Sequence, residues 1–208
     1  MIDPKQHLLT GTIEHLATNG VGDISLRQLA VALGTSHRML IYHFGSKEGL
    51  LIEVVRAMEQ RRRDIFTDLD FDSDASPPDI ARRFWRRLSD PAMWPYERLF
   101  FELYGKALQG DPCAAPLLDG IVETWLAPLT EWNRRQGIPA QAAQATARLG
   151  VAVARGLLLD LLATHDHDAT DAAMTQFVAM YQATIDDQLS ASRTQQQSSS
   201  GAVGQHSC

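Results

Sequence analysis

Two short helices joined by a glycine turn are predicted within residues 25–51, SLRQLAVALGTSHRMLIYHFGSKEGLL. Ser25 and Gln28 have the spacing of a capping box, in which the two residues satisfy free backbone amides at a helix start. Apolar residues then recur at helical spacing until Gly34, where glycine tolerates the positive φ that ends a helix. Ser36 can cap the second helix. The segment therefore reads as two short helices joined by a tight turn, followed by the start of a third.

The second of these helices has a composition that suits a groove in DNA better than a protein core. Residues 37–43, HRMLIYH, combine imidazole, guanidinium and phenol groups within two turns. Such groups can bond to base edges and phosphates in the major groove, where the second helix of a helix-turn-helix lies. On spacing alone, an ordinary helical hairpin inside an all-α protein is the alternative.

The same segment resembles the TetR family of bacterial transcriptional regulators. The resemblance lies in IYHFGSKEGLL, with its aromatic segment, small polar turn, Lys-Glu pair and leucines, and in the preceding SLRQLAVALGTS. It covers residues 8–55, and the rest of the chain agrees only in helix count and layout. The resemblance implies a dimeric repressor with an N-terminal DNA-binding domain. It also implies release from a near-palindromic operator by a small-molecule inducer in the C-terminal part.

We expect base-reading and phosphate-binding side chains within this segment. Arg38 is the candidate for guanine, because a guanidinium can bond to O6 and N7 together, and Met39 could touch a thymine methyl. Ser25 and Lys47, each at a helix start, are candidates for phosphate contacts. The full set predicted to face DNA is Ser25, Thr35, Ser36, His37, Arg38, Met39, Tyr42, His43 and Lys47.

The other residues of the second helix are predicted to differ in role. The resemblance implies contacts from Tyr42 and His43 to phosphates or base edges, whereas Leu40, Ile41 and Phe44 are predicted core residues. Many relatives have smaller residues where this chain has His-Arg-Met at positions 37–39. The resemblance therefore does not predict the operator sequence.

The charge distribution gives only weak support for a DNA-binding role. The net charge is −6, but residues 1–63 carry +2 and residues 64–208 carry −8. Binding would therefore depend on a few placed cations and on amides at helix starts. Two distant cysteines predict neither a disulfide framework nor a thiolate metal site. With no signal peptide and no apolar run long enough to span a bilayer, we expect a cytoplasmic protein.

Helical periodicity predicts an all-α fold of about nine helices. We expect a three-helix DNA-binding domain over residues 1–46, a helical ligand-binding and dimerisation domain over 47–189, and a disordered tail over 190–208. The acidic, proline-terminated segment 66–78 is predicted to be a linker. The expected helices lie near residues 4–19, 26–33, 37–44, 47–64, 79–89, 95–109, 115–136, 140–164 and 170–189.

Helices eight and nine are predicted to form a homodimer interface. They are apolar around much of their circumference, and such helices must be covered on more than one side. Two-fold symmetry would also place two recognition helices one turn of DNA apart. The alternative is a monomer with an unusually apolar core.

Aromatic residues concentrate in helices five to seven, where the resemblance places a ligand pocket; for any single ring, simple core packing is the alternative. Arg155 lies in an apolar helix and needs a partner. That partner could be an acidic ligand, although an internal carboxylate of Asp160, Glu102 or Glu123 is the favoured choice. The candidate lining residues are Trp94, Phe101, Tyr104, Trp125 and Arg155.

The sequence gives little support for catalysis or metal binding. It contains no recognisable nucleophile–base–acid set, phosphate loop or metal signature, so we predict no enzyme and no cofactor. Residues 165–168, HDHD, lie in a polar turn, and adjacent residues rarely converge on one ion. A helical adaptor that binds only protein is a further alternative. Salt-dependent binding to DNA would distinguish a regulator from that adaptor.

Overall fold

The computed structural model describes residues 3–67, 77–112 and 114–203. Within these ranges every regular element is a helix, which confirms the all-α class. None of these helices is both long enough and apolar enough to cross a membrane. Short 3-10 helices occupy Pro91–Met93 and Ala115–Leu118. The α-helices are α1 (Pro4–Asn19), α2 (Leu26–Ala32), α3 (His37–Phe44), α4 (Lys47–Thr67), α5 (Pro77–Leu88), α6 (Trp94–Leu108), α7 (Glu123–Arg135), α8 (Ala140–Thr164) and α9 (His167–Val203).

Helix α7 begins later than predicted. The sequence suggested one helix from residue 115, but the structure has a 3-10 helix there and starts α7 at Glu123. Gly120 adopts a φ of +73°, a conformation that no α-helix contains and that interrupts the helical run. Pro128 lies inside α7 without ending it.

The predicted disordered tail is helical over most of its length. Helix α9 starts at His167 and continues through Val203, so residues 190–203 extend it. No proline occurs in this stretch and its first glycine is Gly201, so the backbone can keep helical φ and ψ. Residues 204–208 lie outside the described residues, as do 68–76 of the predicted linker.

The chain divides into two compact units. Unit 1 contains residues 1–72 and 86–122, and unit 2 contains residues 73–85 and 123–208. Helices α4 and α6 thus belong to the same unit as α1 to α3. The functional division predicted at residues 46 and 47 stays a prediction, because these units are defined by packing alone.

One apolar core holds unit 1 together and fixes the short helices. Helix α3 contributes Leu40 and Phe44, which lie one turn apart and are both buried. Burial of such side chains contributes about 2 kcal/mol each, far more than the intrinsic stability of an eight-residue helix. The fully buried side chains of this core include Leu16, Val21, Leu40, Leu50, Val54, Leu99, Phe100 and Leu103.

Polar side chains of unit 2 link residues on four helices. The amide of buried Asn133 on α7 donates to the carbonyl of Ala143 on α8, at 3.0 Å. The Tyr181 hydroxyl on α9 donates to the Asn133 side-chain oxygen. Trp85 of α5 donates from its indole nitrogen to Asp171 of α9 at 2.6 Å. These bonds specify the register of α7, α8 and α9, because a slip would leave buried polar groups unpaired.

Ionisation of Tyr181 should lower the free energy of unfolding at alkaline pH. Burial raises the pKa of Tyr181 from 10.0 to about 12. The protonated phenol is therefore favoured in the folded state, and its contribution is complete below pH 10 and lost as the pH rises through about 12. Because the residue is only partly buried, we expect a loss of about 1–2 kcal/mol.

Chemical denaturation of the wild type and of Tyr181→Phe, from about pH 8 to about pH 12, tests this dependence. The difference in unfolding free energy between the two proteins should shrink as the pH rises. A constant difference across that range would show that Tyr181 is not responsible.

Candidate nucleic-acid interface

The capping box at the start of α2 is present. The Ser25 Oγ accepts from the Gln28 amide at 3.3 Å, and the Gln28 Oε1 accepts from the Ser25 amide at 2.8 Å. Leu26, Leu29 and Ala30 are buried on the inner face of the helix. The spacing of these residues in the sequence therefore predicted both the start of α2 and the side that it buries.

A glycine turn sets the position of α3 relative to α2. Gly34 has a φ of +63°, and the Thr35 amide donates back to the Ala30 carbonyl at 2.9 Å. The Ser36 Oγ then accepts from the Met39 amide at 3.2 Å and caps α3. The chain thus reverses within a few residues and begins α3 at His37, as predicted.

The joint between α3 and α4 depends on a close approach that sequence reasoning missed. The Ser46 Oγ accepts from the Gly49 amide at 3.1 Å, which caps α4. A Cβ atom at Gly49 would lie 2.2 Å from the carbonyl oxygen of Phe44, so only glycine fits. A glycine in the first turn of a helix, where its propensity is poor, was the sequence signal for this constraint.

Helix α3 presents a polar and aromatic face to solvent. His37 and Arg38 are exposed, and the exposed fraction is 39% for Met39 and 79% for Tyr42. The prediction of a core position for Ile41 is wrong, since 39% of its surface is exposed. With Leu40 and Phe44 pointing inward, Ile41 lies about 100° around the helix and falls at the edge of the open face.

His43 has a different environment from the rest of the predicted DNA-facing set. It is half-buried, with its ring edge-on to Tyr42 at a centroid distance of 4.9 Å. Its Nε2 atom is buried and has no hydrogen-bond partner among the described residues. A contact from His43 to DNA would therefore have to use another part of the ring.

The remaining predicted phosphate contacts differ in exposure. Ser25 and Ser36 are exposed, while Thr35 and Lys47 are half-buried.

Lys5 of α1 pairs with Glu53 at 3.5 Å, and its ammonium lies 5.8 Å from the centre of the Phe44 ring. Lys5 thus serves the packing of α1 against α3 and α4, and it was not among the predicted contacts.

The residues predicted to line a ligand pocket are divided between the two units. Trp94, Phe101 and Tyr104 belong to unit 1, whereas Trp125 and Arg155 belong to unit 2. In unit 1 the Trp94 indole donates to the Ser89 carbonyl at 3.1 Å. Tyr104 stacks on the buried ring of Phe100 with centroids 5.7 Å apart, which is a core contact. In unit 2, Trp125 is buried next to Phe84.

Glu102, one of the carboxylates considered as a partner for Arg155, makes its described bonds within unit 1. It accepts hydrogen bonds from the backbone amides of Val21 and Gly22, at 2.9 and 3.1 Å. These bonds do not test the pairing of Glu102 with Arg155, because each carboxylate oxygen can accept more than one hydrogen bond. Asp160, Glu102 and Glu123 all stay predicted candidates.

Unit 1 contains a small pocket that the sequence did not indicate. Its volume is about 50 Å³, enough for a few water molecules. The Arg61 guanidinium lies 4.8 Å from the centre of the Tyr96 ring, and Glu97 is buried beside it. The lining residues are Ile13, Ala57, Met58, Arg61, Met93, Tyr96 and Glu97, and none of them belongs to the predicted ligand set.

Residues 8–54, which contain these caps and turns, match the family model described as bacterial regulatory proteins, tetR family. The N-terminal domain belongs to the TetR family. This confirms the resemblance seen in the sequence. No significant match was found among curated proteins.

Solved structures share the fold over most of the chain. A transcriptional regulator from Rhodococcus sp. Rha1 is 18% identical, with a TM-score of 0.74 over 86% of this chain and 96% of that chain. GusR from Salmonella enterica is 19% identical, with a TM-score of 0.70 over 87% and 97%. A protein from Saccharomonospora viridis, solved in complex with choline, is 20% identical, with a TM-score of 0.63 over 85% and 94%. At this identity the likeness establishes the fold alone.

The TetR match covers the helix-turn-helix and ends within α4. Ser25, Gly34 and Gly49, which shape the interface, lie inside the matched segment. The residues predicted to bind ligand all lie outside it. The family match therefore contains the predicted DNA-facing residues and none of the predicted ligand-binding residues.

Proposed function

We propose that this protein is a ligand-responsive transcriptional regulator that binds a near-palindromic DNA operator as a homodimer. The observation that carries the proposal is the open face of α3. His37, Arg38, Met39 and Tyr42 are presented to solvent on a helix whose opposite side is locked into the core by Leu40 and Phe44. A rigid helix with an exposed polar face is what reading of the major groove requires.

Roles within the interface follow from side-chain chemistry. Arg38 reads guanine through two parallel hydrogen bonds, and Met39 contacts a thymine methyl group. Ser25, Thr35, Ser36 and Lys47 lie at helix starts and approach phosphates, which are attracted by the helix dipole. The rest of the surface that contacts DNA is formed by His37, Tyr42 and the accessible part of His43. As with regulators of this family in general, the function is binding, and we assign no catalytic step.

Arg38 and Lys47 should respond differently to substitution. Arg38→Ala should lower discrimination at one base pair by about 1–3 kcal/mol, because a bidentate base contact is lost. Lys47→Ala should weaken binding to all sequences. It should also reduce the slope of log affinity against log salt concentration by about one. Affinities for a selected duplex and its single-base variants, measured at several salt concentrations, test both expectations.

Arg98→Ala on α6 is the matched control, since it removes an exposed arginine outside the predicted interface. It should leave affinity and sequence preference unchanged. If Arg38→Ala and the wild type showed the same order and size of preference among the single-base variants, the assigned role of Arg38 would be contradicted. Binding of wild type with no salt dependence would contradict DNA binding itself.

Dimerisation through α8 and α9 is the second part of the proposal. Regulators of the TetR family act as dimers, and helix α8 has two distinct stripes. Its buried stripe contains Ala143, Ala147, Leu158 and Leu161. Its exposed stripe has the same 3 and 4 spacing and is almost entirely apolar, which a partner subunit would cover. The exposed stripe consists of Ala145, Leu149, Ala152, Gly156, Leu159 and Ala163.

Ligand response is the third part of the proposal. The related protein from Saccharomonospora viridis was solved in complex with choline. This supports a small-molecule site in the C-terminal helices of this chain as well. A bound inducer would shift the dimer towards a state with low operator affinity, and this requires unequal binding to the two states. The test is a screen of small organic ions, choline included, for release of a selected duplex at fixed salt. Unchanged operator affinity throughout the screen would count against induction.

A further inference from the structure

The loop between α1 and α2 is bound by a single carboxylate from α6. The Glu102 Oε2 accepts from the Val21 amide at 2.9 Å, and its Oε1 accepts from the Gly22 amide at 3.1 Å. One turn further along α6, the Lys106 ammonium reaches the Gly22 carbonyl at 3.5 Å. We call these bonds the loop clamp. They join parts of the chain that are about 80 residues apart in sequence.

The loop is shaped to receive this carboxylate. Gly20 and Gly22 have φ values of +76° and +40°, which turn two consecutive amides towards one point. A Cβ atom at Gly20 would lie 3.3 Å from the Glu102 Oε2, so a larger residue would press on the carboxylate. Hydrogen bonds to an ionised acceptor are about twice as strong as neutral ones.

Other contacts besides the clamp also hold the loop and the helices on either side of it. Val21 is buried in the core, and the Gly20 amide caps α1 through the Leu16 carbonyl at 2.8 Å. The Ser25 capping box starts α2 independently. The clamp provides a polar connection between α6 and the segment that leads into α2.

We propose that Glu102 is a positioning residue for DNA binding, since the loop clamp makes the orientation of α2 and α3 depend on the position of α6. Helix α6 also packs on α1 and α4, and its Tyr96 lies against Arg61 of α4. A displacement of α6 is therefore transmitted to the helix-turn-helix through Val21 and Gly22. This inference rests on the proposed DNA-binding function and assigns the residue through which that function is adjusted.

Glu102→Gln tests the clamp with little change in shape. A glutamine keeps one acceptor oxygen but presents an NH2 group to the second amide. We expect operator affinity to fall roughly tenfold, measured on a duplex that the wild type selects from a random library. Hydrogen exchange at the Val21 and Gly22 amides should accelerate, while the dimer mass stays the same. Glu102→Asp, which keeps the charge but is one methylene shorter, should give a smaller loss.

Two controls separate positioning from general effects. Glu14→Gln makes the same chemical change at an exposed acid of α1 and should behave as wild type. Arg98→Ala changes an exposed side chain of α6 itself and should leave operator affinity unchanged. Wild-type affinity in Glu102→Gln, unaltered exchange at Val21 and Gly22, or an equal affinity loss in Arg98→Ala would each overturn the inference. If the wild type selects no duplex, the proposed function is wrong and the inference falls with it.

Discussion

Substituting glutamate for both Leu149 and Leu159 should convert the protein from a dimer to a monomer. The two leucines are 56% and 52% exposed within one chain and lie on the same apolar stripe of α8. In the proposed dimer each carboxylate would be buried without a partner, which costs several kcal/mol per group. The dimer dissociation constant should therefore rise about a thousandfold or more. Sedimentation or light scattering across a dilution series measures it.

DNA binding should weaken together with dimerisation. A monomer can bind only one half-site. It therefore loses the gain in affinity that a dimer has when it binds both half-sites at once. We expect operator affinity to fall by roughly a hundredfold or more, while circular dichroism shows retained helix. Leu108→Glu is the matched control, because Leu108 is 64% exposed on α6 and lies outside the proposed interface. A double variant that stays dimeric would place the interface elsewhere.

The elements that could be predicted from the sequence are those set by local chemistry. The Ser25–Gln28 capping box and the positive φ of Gly34 are determined by residues only a few positions apart. Their spacing was therefore sufficient to place α2 and α3 correctly. The same local evidence predicted the buried positions of Leu40 and Phe44.

The features that the sequence did not predict arise from contacts between distant segments. Nothing near Glu102 in the chain shows that its carboxylate binds the amides of Val21 and Gly22, so this contact could not be predicted. The pocket beside Tyr96 likewise combines residues from separate helices. Aromatic composition alone could not separate core rings from ligand-binding rings, because both favour the same residues.

Gly49→Ala should disrupt the joint between α3 and α4. The added Cβ would lie 2.2 Å from the Phe44 carbonyl oxygen, a backbone atom that cannot rotate away. Either the end of α3 moves or the first turn of α4 unwinds, and both break the cap between the Ser46 hydroxyl and the residue 49 amide. We expect the unfolding free energy to fall by about 3 kcal/mol. Operator affinity should fall as well, because α3 carries the proposed reading face.

Gly105→Ala provides a control for the chemical change itself. Gly105 lies within α6, and a Cβ there would have no atom within 4 Å. Since alanine is the better helix former, this variant should gain up to about 1 kcal/mol. Both variants replace glycine with alanine. Opposite changes in their free energies of unfolding would therefore isolate the effect of the steric clash at Gly49. If Gly49→Ala were as stable as Gly105→Ala and bound the selected duplex normally, the close approach of α4 to Phe44 would not constrain the interface.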